Sequence, residues 1–262
     1  MIVLTAGKGG VGKTTCTALL VDSLPDNAGR VLVVDADPAQ TLHLALGLPE
    51  PGTTLSQVMD ELDLSAGAIR SLPVPIEQHT ANLLRARGVL QRHAIGQRER
   101  EIAYMAMGRG HQAGCYCQVN NVLARVLQSL WQQFDLVLVD AEAGLEHLNR
   151  KRIGHADLLL LVATPDRAAM QAAARICRVV DEVGIVTGQV GLLVNRTALD
   201  TPDLPVGVVE VVDFVASLPA CGNDFAALEH AELPVTELAA GHPLRRIIEQ
   251  VVVERMLIPA DA

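Results

Sequence analysis

A strand that empties into a glycine-rich loop and then a helix leaves a chain few ways to fold. Here the apolar run "IVLTA" (2–6) meets Gly7-Lys8-Gly9-Gly10-Val11-Gly12-Lys13-Thr14-Thr15, and a helix-period segment follows over 13–24. Gly7, Gly12, Lys13 and Thr14 satisfy G-x-x-x-x-G-K-[ST] in the strand–loop–helix setting that the pattern requires. Glycines let successive backbone N–H groups turn inward around phosphate oxygens, and the helix N-terminus adds partial positive charge. The candidate nucleotide-binding residues are therefore Gly9, Gly10, Val11, Gly12, Lys13, Thr14 and Thr15. Lys13 is expected on the β- and γ-phosphates and the Thr14 hydroxyl on Mg²⁺.

Such a loop needs a parallel sheet behind it. Further strands are expected at 31–37, 103–107, 135–142, 157–163 and 190–196, with one more inside 211–219. Helix-period segments lie between and after them, at 118–133, 166–183 and 243–256. Strand alternating with helix predicts an α/β fold: a mostly parallel sheet of about seven strands with helices on both faces. There is no repeat or long linker, so residues 1–262 read as one P-loop ATPase domain. Residues 50–100, with Pro73, Pro75 and an Arg-rich run from Arg85 to Arg100, read as an irregular insertion on it.

Composition removes several alternatives. The formal net charge of −9 over 262 residues argues against non-specific binding to nucleic acid or an acidic membrane. Aromatics make up 2%, too few for a base-stacking surface. No stretch approaches the ~20 apolar residues of a membrane span, and no signal peptide is read at Met1. A cytoplasmic location is expected, with the five cysteines reduced and no disulfide framework among them.

The chain has three lysines, Lys8, Lys13 and Lys151, and two of them stand in the loop. Compact, flexible ammonium groups suit phosphate. The form "KGGVGKTT" resembles the deviant Walker A ATPases, the superfamily that includes MinD, ParA and the nitrogenase iron protein. That resemblance implies that Lys8 reaches the partner's nucleotide in an ATP-closed homodimer. It also implies that Asp37, in "VVDADPAQ", begins switch I, positions the attacking water and shares Mg²⁺ with Thr14 and Asp140. Lys8, Lys13 and Asp37 are then the catalytic set. Asp140 is also readable directly, as the carboxylate closing the apolar strand of "FDLVLVDAEAG", where it faces the ligand crevice. Asp35 is left between an active-site role and a turn cap. Asn195 matches the superfamily position that reads adenine, its amide offering a donor and an acceptor. Arg196 beside it completes the nucleotide-binding set.

One motif remains. In "GCYC", Cys115 and Cys117 stand at i and i+2, so an extended backbone aims both sulfurs the same way. They can be unremarkable, a strained redox pair, or half of a metal site. Two copies about a two-fold axis would give four sulfurs, suited to Zn²⁺ or Ni²⁺. With Asn120 and Leu123 in the following helix and "DAEAGLEHLNR" (140–150), the stretch resembles the ATPases that mature nickel-containing carbon monoxide dehydrogenase, the CooC type. This resemblance implies an ATP- and Mg²⁺-dependent homodimer that carries nickel (or zinc) on Cys115 and Cys117 to that client. Glu142, Glu146 and His147 would lie in switch II. "TPDR" (164–167) departs from the superfamily's usual Glu-Pro-Ser/Thr form. The other classes weighed are a MinD- or ParA-like positioning ATPase, a maturation ATPase for another metalloenzyme, and a reductase-type partner with a shared iron–sulfur cluster. Asp140 is followed by Ala141-Glu142-Ala143-Gly144, with no cysteine there to support the last. Cys16, Cys177 and Cys221 read as small buried hydrophobes.

Overall fold

Val31–Asp35 and Leu136–Asp140 are five-residue runs in which every side chain is buried, as strands covered on both faces must be. In the computed structural model they lie side by side at the heart of an eight-stranded sheet. The structure describes residues 1–61, 73–96, 99–108, 127–141, 155–182, 185–198, 206–221, 233–239 and 241–253, with Leu204 and Leu228. The strands are β1 (Ile2–Gly7), β2 (Val31–Asp35), β3 (Gln91–Ile95), β4 (Arg100–Ala106), β5 (Leu136–Asp140), β6 (His155–Ala163), β7 (Val186–Thr197) and β8 (Phe214–Pro219). Their order is β3-β4-β2-β5-β1-β6-β7-β8. Every pairing is parallel except β3 with β4.

That order makes β1 a switch point. From β1 the chain passes through helix α1 (Lys13–Asp22) to β2 on one side, whereas β6 runs through the helix Arg167–Glu182 to β7 on the other. Right-handed crossovers in opposite directions put these helices on opposite faces. Ligands of such sheets bind outside the carboxyl ends of the strands where the direction reverses. Gly7, closing β1, stands at that place.

Strand β3 was not expected, because "QRHAI" has no apolar alternation. It is an edge strand, and its exposed Arg92 pairs with Glu101 of β4 at 2.5 Å; charge on an edge discourages further pairing. With the helices Leu55–Glu61 and Ile76–Ala86, it gives regular structure to much of the stretch read as irregular. The expected helix at 166–183 is present as Arg167–Glu182. That at 243–256 divides: Pro243–Ile247 is α-helical, and Ile248–Val253 widens to π geometry. His242 caps its start, Nδ1 accepting from Leu244 N at 3.3 Å. Of the expected helix at 118–133, residues 127–133 lie within the described residues, and 127–131 are helical.

Candidate nucleotide site

The loop after β1 is shaped by close approach. A Cβ on Gly7 would lie 2.2 Å from the Val162 carbonyl oxygen of β6 and 3.2 Å from Val11 Cγ2, so the position admits only glycine. Gly12 enters α1 as its N-cap in the left-handed region, φ 90°, and no side chain caps the helix. That leaves the helix's first turn to an anion. Lys13 is buried, and its Nζ donates to the Lys8 carbonyl at 3.3 Å. Lys8 itself is exposed. Asp166 is held below the usual carboxylate range by the Thr164 hydroxyl and the Ala169 N–H, with the Lys8 charge adding to the effect. The departure "TPDR" thus has a structural meaning: Asp166 Oδ1 accepts from Ala169 N at 3.0 Å in the first turn of the helix.

Beside the loop, β2 and β5 end in register, Asp35 opposite Asp140. Both carboxylates are buried. Asp140 Oδ2 accepts from Thr14 Oγ1 at 2.7 Å and its Oδ1 from Thr17 Oγ1 at 3.2 Å. Burial still pushes the Asp140 pKa up to about 7, with the Asp35 charge adding to it against Thr14, Lys13 and Thr17. Asp35 accepts from Asp37 N at 3.2 Å, Leu42 N at 3.1 Å and Tyr104 Oη at 3.1 Å. Burial nevertheless raises it to about 6. The open alternative for Asp35 therefore has an answer: it is the post around which residues 36–42 are wound. Asp37 is half-buried on that loop, with Oδ1 accepting from Ala39 N at 2.8 Å.

Asn195 and Arg196, at the carboxyl end of β7, reach the same loop. Asn195 Nδ2 donates to the Val11 carbonyl at 2.8 Å and Oδ1 accepts from Arg196 N at 3.0 Å. Arg196 Nη2 donates to the Gly10 carbonyl at 3.2 Å. Here the amide of Asn195 is engaged with backbone on both sides.

The buried Asp140 carboxylate beside the Thr14 hydroxyl and a phosphate-type loop offers the hard oxygen donors that a divalent cation takes. The sequence pattern of the AAA domain family matches residues 1–187. The chain belongs to that family. It is an ATPase of the deviant Walker A superfamily. An uncharacterised ATP-binding protein of Methanocaldococcus jannaschii is 27% identical over 256 residues, covering 96% of each chain. The carbon monoxide dehydrogenase accessory protein CooC of Rhodospirillum rubrum is 30% identical over 190 residues, 71% of this chain and 72% of its own. The septum site-determining protein MinD of Pyrococcus horikoshii, solved with Mg-ADP, superposes with a TM-score of 0.61 at 21% identity, covering 97% of this chain and 98% of its own.

Sequence reasoning missed two partners in this ATPase site, Thr17 and Tyr104. Thr17 follows the motif by one helical turn from Lys13, and i to i+4 spacing puts it on the same face. Tyr104 carried no local signal; only the pairing of β4 with β2 brings it to Asp35. Cys16 and Cys177 are buried as expected, whereas Cys221 is half-buried. Burial pushes the Cys16 thiol up to about 12. Cys115, Cys117, Asn120, Leu123, Glu142, Glu146 and His147 lie outside the described residues. Among the described residues no group of three or more His, Cys, Asp or Glu converges as a metal site, and no helix is long and apolar enough to cross a membrane.

Proposed function

We propose that the protein is an ATP-hydrolysing metallochaperone: a cytoplasmic homodimer, closed by ATP, metal or both, that binds nickel through Cys115 and Cys117 and assists its insertion into carbon monoxide dehydrogenase. The observation that carries the ATPase half is the contact of Thr14 with the buried Asp140 beside the loop. Thr14, Asp37 and Asp140 would hold Mg²⁺, which supplies the positive charge that phosphoryl transfer needs. Lys13 stabilises charge on the β- and γ-phosphates, and Lys8 does the same from the partner subunit. Asp37 orients the attacking water; Asn195 and Arg196 serve the nucleotide through the phosphate loop that they hold.

For the metal cargo, support comes from the likeness to CooC and from the cysteine pair. Strand β4 ends beside Asp35, where Met107 N donates to the Asp35 carbonyl at 2.8 Å. In the sequence, the cysteine pair follows this end of β4. Thiolates from two copies make a soft four-sulfur set for nickel, and equally for zinc. The test is titration of Ni²⁺ and Zn²⁺ into reduced, metal-free protein, wild type beside Cys115→Ser/Cys117→Ser, with mass measured together with metal content. One metal per dimer in wild type and none in the variant is expected; equal behaviour of the two would refute metal delivery.

A second reading, a MinD- or ParA-like positioning ATPase, is favoured by the superposition on MinD. It requires ATP-dependent co-sedimentation with anionic liposomes or DNA, which a net charge of −9 opposes. Metal binding without a response from carbon monoxide dehydrogenase would point instead to another metalloenzyme as client.

A further inference from the structure

Asn195 and Arg196 sit where β7 and β8 fall out of step. Val194 pairs with Ser217 and Thr197 with Pro219, so three steps along β7 match two along β8. An extra residue of this kind bends a strand and re-aims its side chains, often beside an active site. The backbone of Arg196 bears the irregularity: its φ is 57°, in the left-handed region where a residue with a Cβ is strained. The re-aimed side chains cross to the phosphate loop, Arg196 to the Gly10 carbonyl and Asn195 to the Val11 carbonyl.

Each of these bonds fixes more than a carbonyl. In a planar trans peptide the C=O and the following N–H point in opposite directions. Turning the Gly10 oxygen toward Arg196 turns the Val11 N–H away from it. Turning the Val11 oxygen toward Asn195 does the same for the Gly12 N–H. Gly10 and Gly12 have φ of 78° and 90°, and glycine holds such angles with little preference of its own. The orientation of these amides therefore needs a hold from outside the loop.

We propose that Arg196 is a positioning residue: with Asn195 it latches the Gly10–Val11 backbone so that the Val11 and Gly12 amides face a bound di- or triphosphate. This rests on reading the loop as an ATP site. It differs from a direct contact of Arg196 with the nucleotide, because the guanidinium acts through the loop and the base plays no part.

The test is calorimetric binding of Mg-ADP, Mg-ATP and adenosine to wild type, Arg196→Gly and Arg196→Lys, with melting temperatures and steady-state hydrolysis. Glycine removes the latch and also relaxes the left-handed backbone. Arg196→Gly is expected to melt at or above the wild-type temperature yet bind Mg-ADP and Mg-ATP about tenfold more weakly, as loss of one charged hydrogen bond implies. Adenosine affinity should not change, KM should rise more than kcat falls, and Arg196→Lys should recover most of the loss. Nucleotide affinity within twofold of wild type in Arg196→Gly would overturn the latch, as would an equal loss for adenosine or a parallel fall in melting temperature. A wild type that binds neither nucleotide would refute the ATP site itself, and the latch with it.

Discussion

Thr14 and Asp140, 126 residues apart, meet at 2.7 Å and join the first turn of the loop's helix to the end of β5. The hydroxyl satisfies one carboxylate oxygen but brings no charge. Lys13 is buried nearby and bonded to the Lys8 carbonyl, and it offsets only part of the cost of burial. Burying the Asp140 carboxylate there thus comes at some expense to the fold.

Asp140→Asn separates these two roles. An amide oxygen still accepts from Thr14, whereas the buried charge is gone. Without nucleotide the variant is expected to be more stable at pH 8 by about 1–3 kcal/mol, a rise of roughly 2–10 °C in melting temperature. Mg²⁺-dependent ATP hydrolysis should fall at least about a hundredfold. Calorimetry and phosphate release check the two halves; a destabilised variant with normal hydrolysis would remove Asp140 from the site.

The pair also sets a pH dependence. Asp140 and Asp35 are raised to about 7 and about 6, above the value of ~4 expected in the unfolded chain. Between these limits the folded state holds protons that the unfolded state has released, so stability falls as pH rises. The pair's contribution is complete below about pH 4, declines through about pH 7 and is flat beyond. Denaturant melts of nucleotide-free protein across pH 4–8 should show this decline, and Asp140→Asn should remove its upper part. A wild-type curve unchanged by that substitution would contradict the assignment.

The C-terminal helix is tied to α1 by a pair that is nearly dry. Arg245 Nη1 lies 2.6 Å from Asp22 Oδ2, with the two side chains 12% and 2% exposed, and Arg245 Nη2 donates to the Val235 carbonyl at 2.9 Å. Removing one partner leaves a buried charge uncompensated. Arg245→Ala should cost about 3 kcal/mol by urea unfolding, while Arg245→Ala/Asp22→Asn should recover part of it. An unperturbed single variant would show the pair to be incidental.

The parallel core was legible because its strands are buried on both faces and read as apolar runs, as in "VLVVD" and "LVLVD". Strand β3 was not, because an edge strand carries charge where a buried strand carries valine. Within the site, the loop and Asp140 declared themselves through spacing and strand position. Asp35 did not: its partners Leu42 and Tyr104 come from the start of a short helix and from a strand 69 residues away, and no local pattern contains both. The latch by Arg196 was hidden for a related reason, since a bulge depends on the register of two strands and leaves no mark on either sequence.

The two loop lysines differ in a way that predicts different failures. Lys13 is buried and directed along its own loop, so Lys13→Ala should abolish nucleotide binding and hydrolysis together. Lys8 is exposed at the loop's start, and its carbonyl rather than its ammonium takes part in the loop's internal bonding. A solvated ammonium there contributes little to stability and is open to a neighbouring molecule. Lys8→Ala is therefore expected to melt like wild type and to bind Mg-ATP with an affinity within about threefold of it. ATP-dependent dimerisation and turnover should be lost, turnover by about a hundredfold or more, as for other charges supplied in trans to a phosphoryl group. Light scattering with a non-hydrolysable ATP analogue and single-turnover phosphate release measure these separately. A Lys8→Ala protein that hydrolyses ATP at the wild-type rate while remaining a monomer would show that each subunit works alone, and the face-to-face dimer would have to be abandoned.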